Sequence, residues 1–167
     1  TYDDANRMLT QAADMYKIGV VNVNIRSYYV EGSKTLGFEV AEQLGWEAPD
    51  HVIIPTASGA LLCAIKKGFD ELMEVGLLDD CETKITAAQG AGCAPIVDAI
   101  KKGKDFITPI ETPQTLAKSL AIGDPGDGIY ALNTIKNTKG FSEDPTDQEI
   151  RDGIRLLAKS EGIYTEP

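Results

Sequence analysis

HVIIPTASGALLCAIKKGFDELMEVG (51–76) opens with an apolar run, breaks at a proline, passes through small or hydroxylated residues and resumes with helical spacing. His51–Pro55 reads as a short buried strand entered from the Pro49-Asp50 turn. From Ser58 onward Leu61, Ile65, Phe69 and Leu72 fall on one helical face. Lys66, Lys67, Asp70, Glu71 and Glu74 take the other, and Gly76 supplies a stop. A strand passing directly into a helix is the repeating unit of a parallel sheet, whose neighbouring strands need a crossover connection.

The flanking segments repeat this alternation. Residues 3–17 place Ala5, Met8, Leu9, Ala12, Ala13 and Tyr16 at helical spacing, and the β-branched GVVNVNI (19–25) predicts a strand. RSYYVEGSK reads as a loop near a compositional break at Arg26–Tyr29, and Thr35–Leu44 returns to a helix ending near Gly45. TKITAAQ (83–89) predicts a strand, and PIVDAIKKG a short helix. Thr112 as N-cap with Pro113 at the first helical position predicts another helix. GIYALNTIKN is helical, and Thr146 with Glu149 forms a capping box ahead of an Ile150, Ile154, Leu157 face. The expected fold is a three-layer α/β architecture, a mostly parallel sheet with helices on both faces.

Composition narrows the function. Sixteen Lys+Arg against 26 Asp+Glu give a formal net charge of −10, which disfavours nucleic acid and anionic membrane surfaces. No apolar run approaches the roughly 18 residues that span a bilayer. Cys63, Cys81 and Cys93 are odd in number and contain no CxxC, which argues against a disulfide framework or zinc site and suits a reducing cytoplasm. No metal constellation is expected. The single histidine, His51, is read as structural. A start at Thr1 and a stop at TEP read like a piece of a longer chain.

The start of the 58–74 helix is the candidate site. Helix N-termini carry unpaired N–H groups and partial positive charge, and the small residues Ala57–Ala60 leave room for a phosphate to reach them. Neither GK[ST] nor GxGxxG is present. On spacing alone two readings stay open, an easy strand-to-helix turn or an anion seat. Lys34 reads as a charged residue in a solvated first turn, and Cys93 as a packed small residue. Asp124 and Asp127, around Pro125, suit turn capping. The loops QGAGCAP (89–95) and IGDPGDG (122–128) bear glycines, and ligands of open α/β sheets bind where loops leave the strands' carboxyl ends.

YDDANRM, RSYYVEGSKTLGFEVAEQLGW, IIPTASGALL, GCAPIVDA and IGDPGDGIYAL together resemble the threonine synthases, in that family's order. The resemblance implies part of a fold-type II pyridoxal-phosphate enzyme, of the tryptophan-synthase β-subunit type. It implies conversion of O-phospho-L-homoserine and water to L-threonine and phosphate in a cytoplasmic homodimer, with pyridoxal phosphate as electron sink. The residues matching the family's phosphate loop are Ala57, Ser58, Gly59, Ala60 and Leu61; Ala57 and Ala60 stand where glycine or asparagine is commoner. The family's Schiff-base lysine lies in a Ser-Phe-Lys-Asp segment that residues 1–167 do not contain, so no catalytic residue is expected here. Lys34 matches a different stretch of the family and does not inherit that role. Residues 1–25 would belong to the smaller lobe and 26–167 to the larger, cofactor-binding lobe, incomplete at both ends. Alternatives are cysteate synthase or another related pyridoxal-phosphate lyase, and a non-catalytic anion-binding or protein-interaction domain derived from such an enzyme.

Overall fold

The structure is a computed structural model that describes residues 1–21 and 27–167. Three parallel strands form the sheet in the order β1 (His51–Pro55), β2 (Lys84–Ala88), β3 (Ser142–Glu143). Ile54 pairs with Ala87 and Pro55 with Ala88, while Ala88 pairs in turn with Glu143. The helices are α1 (Tyr2–Tyr16), α2 (Ser27–Ser33), α3 (Thr35–Gln43), α4 (Ala60–Glu74), α5 (Pro95–Lys101), α6 (Gly128–Asn137) and α7 (Asp147–Glu161). Helices pack on both sides of the sheet, as expected for α/β.

The core forms where the apolar stripe of α4 meets β2. Leu62, Ile65, Phe69 and Leu72 pack with Ile54, Ile85, Ala87, Ile96, Ala131 and Ile135. Ile85, Thr86 and Ala87 are all buried, the pattern of a central strand. β1 departs from the buried strand expected: Ile53 is 64% exposed and only Ile54 is buried, and among the described residues β1 is paired on one side only, by β2. Leu61 likewise stands 39% exposed at the margin of the α4 stripe.

Several expectations hold in detail. Thr146 accepts from the Glu149 amide and the Glu149 carboxylate accepts from the Thr146 amide, completing the capping box of α7. Gly45 and Gly76 adopt φ of 81° and 76° just past α3 and α4, the left-handed conformation that ends helices.

Others are corrected. Of RSYYVEGSK, Arg26 lies outside the described residues, and the rest is not the loop expected: Ser27–Ser33 forms α2, which packs on α4. The helix expected from Thr112 is absent, and a 3-10 turn at Lys118–Leu120 stands alone in that stretch. Tertiary partners claim the amides that a helix would use. Gln114 N–H donates to Gly92 O at 3.0 Å, and Leu116 N–H donates to the Asp147 carboxylate at 2.8 Å. Of the GVVNVNI strand, Asn22–Ile25 lie outside the described residues, and Gly19–Val21 belong to no element. The two-residue β3 was not foreseen. α1 is helical as expected, yet it buries none of its residues, and Met8 and Tyr16 are each 69% exposed.

Candidate functional site

The parallel strands bring the loops that follow them to one edge of the sheet, and residues 56–59 make the one that joins β1 to α4. Thr56, 2% exposed, continues the strand by donating its N–H to Ala88 O at 2.8 Å, and its hydroxyl donates to Ile54 O at 2.7 Å. Ala57 and Ser58 follow without secondary structure. Gly59 then precedes α4 with φ of +96°, a conformation that side chains resist. A Cβ there would lie 2.8 Å from the Ala131 Cβ and 3.1 Å from Asp127 O. Glycine therefore lets the start of α4 approach the start of α6 this closely. The Asp127 N–H closes the contact by donating to Ser58 O at 3.1 Å.

The loop borders a cleft of about 150 Å³ lined by Pro55, Thr56, Ala57, Ser58, Gly59, Leu61, Leu62 and Leu120. Of the five expected phosphate-loop residues, Ala57, Ser58, Gly59 and Leu61 line this cleft. Ala60 turns instead toward a hollow of about 430 Å³ on the far side, shared with Cys63 and Asp127. Among the described residues, the amides of Ala57, Ser58 and Gly59 meet no protein acceptor, and the Ala60 amide reaches only the Ser58 hydroxyl at 3.4 Å. No acidic residue occupies the first turn of α4. The arrangement offers unpaired N–H groups and a helix's positive end with no acid in that helix's own first turn, which is chemistry suited to an anion; the Asp127 carboxyl lies on the Ala60 side.

The other flagged residues are placed elsewhere. Lys34 is not solvated: it is 7% exposed, salt-bridged to Glu71 at 2.5 Å and to Glu31. Lys67 bonds Glu31 at 2.7 Å, so four alternating charges join the α2–α3 junction to α4. Hydrogen bonds to Glu31 and Glu71 raise the Lys34 pKa above its ordinary value. Those from Lys34 and Lys67 lower Glu31 to about 2. A lysine so held stays protonated and is a poor nucleophile.

Cys93 is 1% exposed and its thiol is pushed up by burial, as a packed residue would be. Cys63 is pushed up to about 11, chiefly by burial. His51 bonds the Thr86 hydroxyl at 2.7 Å and meets Phe141 edge-on, a structural setting. Asp127 sits at the N-cap of α6, but its side chain makes no capping bond, and burial raises its pKa. Among the described residues no group of three or more His, Cys, Asp or Glu could hold a metal ion. Likewise no helix is long and apolar enough to cross a membrane.

The sequence reading passed over Gln89. It is 1% exposed and bonds both the Thr56 carbonyl and the first turn of α5. A lone glutamine at a strand end carries no pattern by which spacing could single it out.

The family model described as "Pyridoxal-phosphate dependent enzyme" matches residues 1–167. Threonine synthase of Methanocaldococcus jannaschii is 39% identical over 166 residues, covering 99% of this chain and 40% of that protein. Threonine synthase of Methanosarcina acetivorans is 40% identical, with the same coverage of 99% and 40%. The chain thus spans about two fifths of the length of these curated relatives. Among solved structures, maize serine racemase superposes with a TM-score of 0.71 at 17% identity, over 97% of this chain and 45% of that one. A diaminopropionate ammonia lyase from Escherichia coli gives 0.71 at 22%, over 100% and 42%. At such identities these two likenesses speak for the fold alone. The match over the full chain shows that this chain belongs to the pyridoxal-phosphate dependent enzyme family.

Proposed function

We propose that the chain is the phosphate-holding portion of a threonine synthase, which converts O-phospho-L-homoserine and water to L-threonine and phosphate. The observation that carries this reading is the 56–60 loop, whose unpaired amides border a cleft at the head of α4 with no acid in its first turn. The donor set fits the phosphate of pyridoxal phosphate: Ala57, Ser58 and Gly59 would hold it through backbone N–H groups, with Ala60 and Leu61 continuing the helix end. When bound, the cofactor supplies an electron sink for carbanion chemistry, and the chain's part is to seat and orient it. Threonine synthase relatives at 39% and 40% identity support the choice of reaction.

With this reading go a smaller lobe contributing residues 1–25, a larger lobe from 26 to 167, a homodimer and a cytoplasmic setting. That none of the residues of α1 is buried is consistent with that division. The test is phosphate release from O-phospho-L-homoserine by the cofactor-loaded protein to which this chain belongs. Threonine and phosphate formed in equal amounts are expected; no turnover of that substrate overturns the assignment.

A further inference from the structure

We propose that Gln89 is a positioning residue that aims the Ala57 N–H toward the phosphate, an inference that rests on the phosphate-loop reading above. Gln89 follows directly on β2 and is 1% exposed, and every polar atom of its side chain's amide group has work within the interior. Its Oε1 accepts from Ile96 N–H at 2.9 Å and from Val97 N–H at 3.2 Å, and its Nε2 donates to Thr56 O at 3.3 Å. The orientation is unambiguous, because two N–H donors require the oxygen and a carbonyl requires the nitrogen.

Each end of the amide meets a defined need. α5 begins at Pro95 after Ala94, which offers no side-chain cap, so the Ile96 and Val97 amides are orphans that Gln89 satisfies. Accepting two bonds at the positive end of α5 polarises the Gln89 amide and strengthens its NH2 as a donor. That NH2 fixes the direction of the Thr56 carbonyl. A trans peptide is planar, with its C=O and N–H pointing opposite ways. The N–H across the same peptide belongs to Ala57, the first unpaired amide of the loop. Holding Thr56 O inward therefore turns Ala57 N–H outward, away from Gln89. The Gln89 backbone N–H, donating to Glu143 O at 3.0 Å, anchors the lever to β3.

Gln89→Glu separates this role from plain packing. A carboxylate keeps two acceptor sites for Ile96 and Val97 but offers the Thr56 carbonyl only repulsion; Gln89→Met removes both ends. In Gln89→Glu the Ile96 and Val97 amides should keep their hydrogen-exchange protection, while the Ala57 amide resonance shifts and Thr56 exchanges at least tenfold faster. Affinity for pyridoxal 5′-phosphate should fall at least tenfold, with affinity for pyridoxal unchanged. In Gln89→Met the α5 amides should lose protection as well. Unaltered Ala57 and Thr56 amides in Gln89→Glu overturn the inference whether or not phosphate binds. A wild-type protein that does not distinguish pyridoxal 5′-phosphate from pyridoxal overturns the phosphate-loop reading instead, and the amide measurements still decide the role of Gln89.

Discussion

Gly59 faces Ala131 so closely that a Cβ on the glycine would stand 2.8 Å from the alanine's own, at a φ of +96°. The candidate phosphate loop and the start of α6 are thus held in one fixed relation. Gly59→Ala combines left-handed strain with an overlap that backbone atoms of Asp127, at 3.1 Å, cannot easily relieve. A loss of about 2–6 kcal/mol is expected, from about 1–3 for each effect. Urea unfolding would measure it, and a change below about 0.5 kcal/mol would show that the contact opens freely.

Lys34 should not form an adduct with pyridoxal phosphate. Its ammonium is shielded and bonded to two carboxylates that favour the charged form. Borohydride reduction followed by peptide mass mapping should leave Lys34 unmodified, and stoichiometric labelling there would refute this placement.

Glu31 makes the same charge network sensitive to acid. Its folded-state pKa, about 2, lies below the ordinary 4.5, so the protonated form is disfavoured in the native state. The stabilisation is complete above pH 4.5 and is lost as pH falls through about 2. Thermal midpoints of Glu31→Gln and the parent should therefore differ at pH 6 and converge toward pH 2. Parallel curves across that window would remove Glu31 from the acid response.

Cys63 should alkylate slowly. With its pKa about 11 against an ordinary 9.0, the thiolate fraction at pH 8 falls roughly a hundredfold. Iodoacetamide labelling of the folded protein, read by mass spectrometry, should be slower at Cys63 by at least that factor than in the urea-unfolded chain. Equal rates would contradict the burial.

Thr146→Ala removes one half of the α7 capping box and should cost about 1 kcal/mol. Chemical denaturation checks this. The same substitution beside Glu149→Gln would test their coupling, because the two side chains cap each other's backbone.

The elements legible in advance were those whose cause is local. The 3.6-residue period of α4 and α6, the β-branched run of β2 and the Thr146–Glu149 box act within a few residues, and each appeared where the sequence placed it. The pause at Ala57–Ala60 was visible too, as small residues between a strand and a helix. Whether those residues made a turn or an anion seat was not decided by spacing.

The misreadings share a tertiary cause. Thr112 and Pro113 carry good helix-start chemistry, but Gly92 O and the Asp147 carboxylate take the amides of Gln114 and Leu116 from across the fold. Lys34 looked solvated because nothing near it in sequence announces Glu71, thirty-seven positions away, whose carboxylate α4 carries to it.

By itself the sequence determined the strand–helix alternation, the small-residue loop at the head of α4 and the family likeness, because period, turn chemistry and motif are properties of neighbours. The tertiary structure alone decided that Ile53 of β1 stands exposed, that Ala60 does not line the cleft its four companions share, and that Gln89 reaches Thr56. Those facts depend on packing and on partners more than thirty residues apart, which only the folded chain brings within hydrogen-bonding distance.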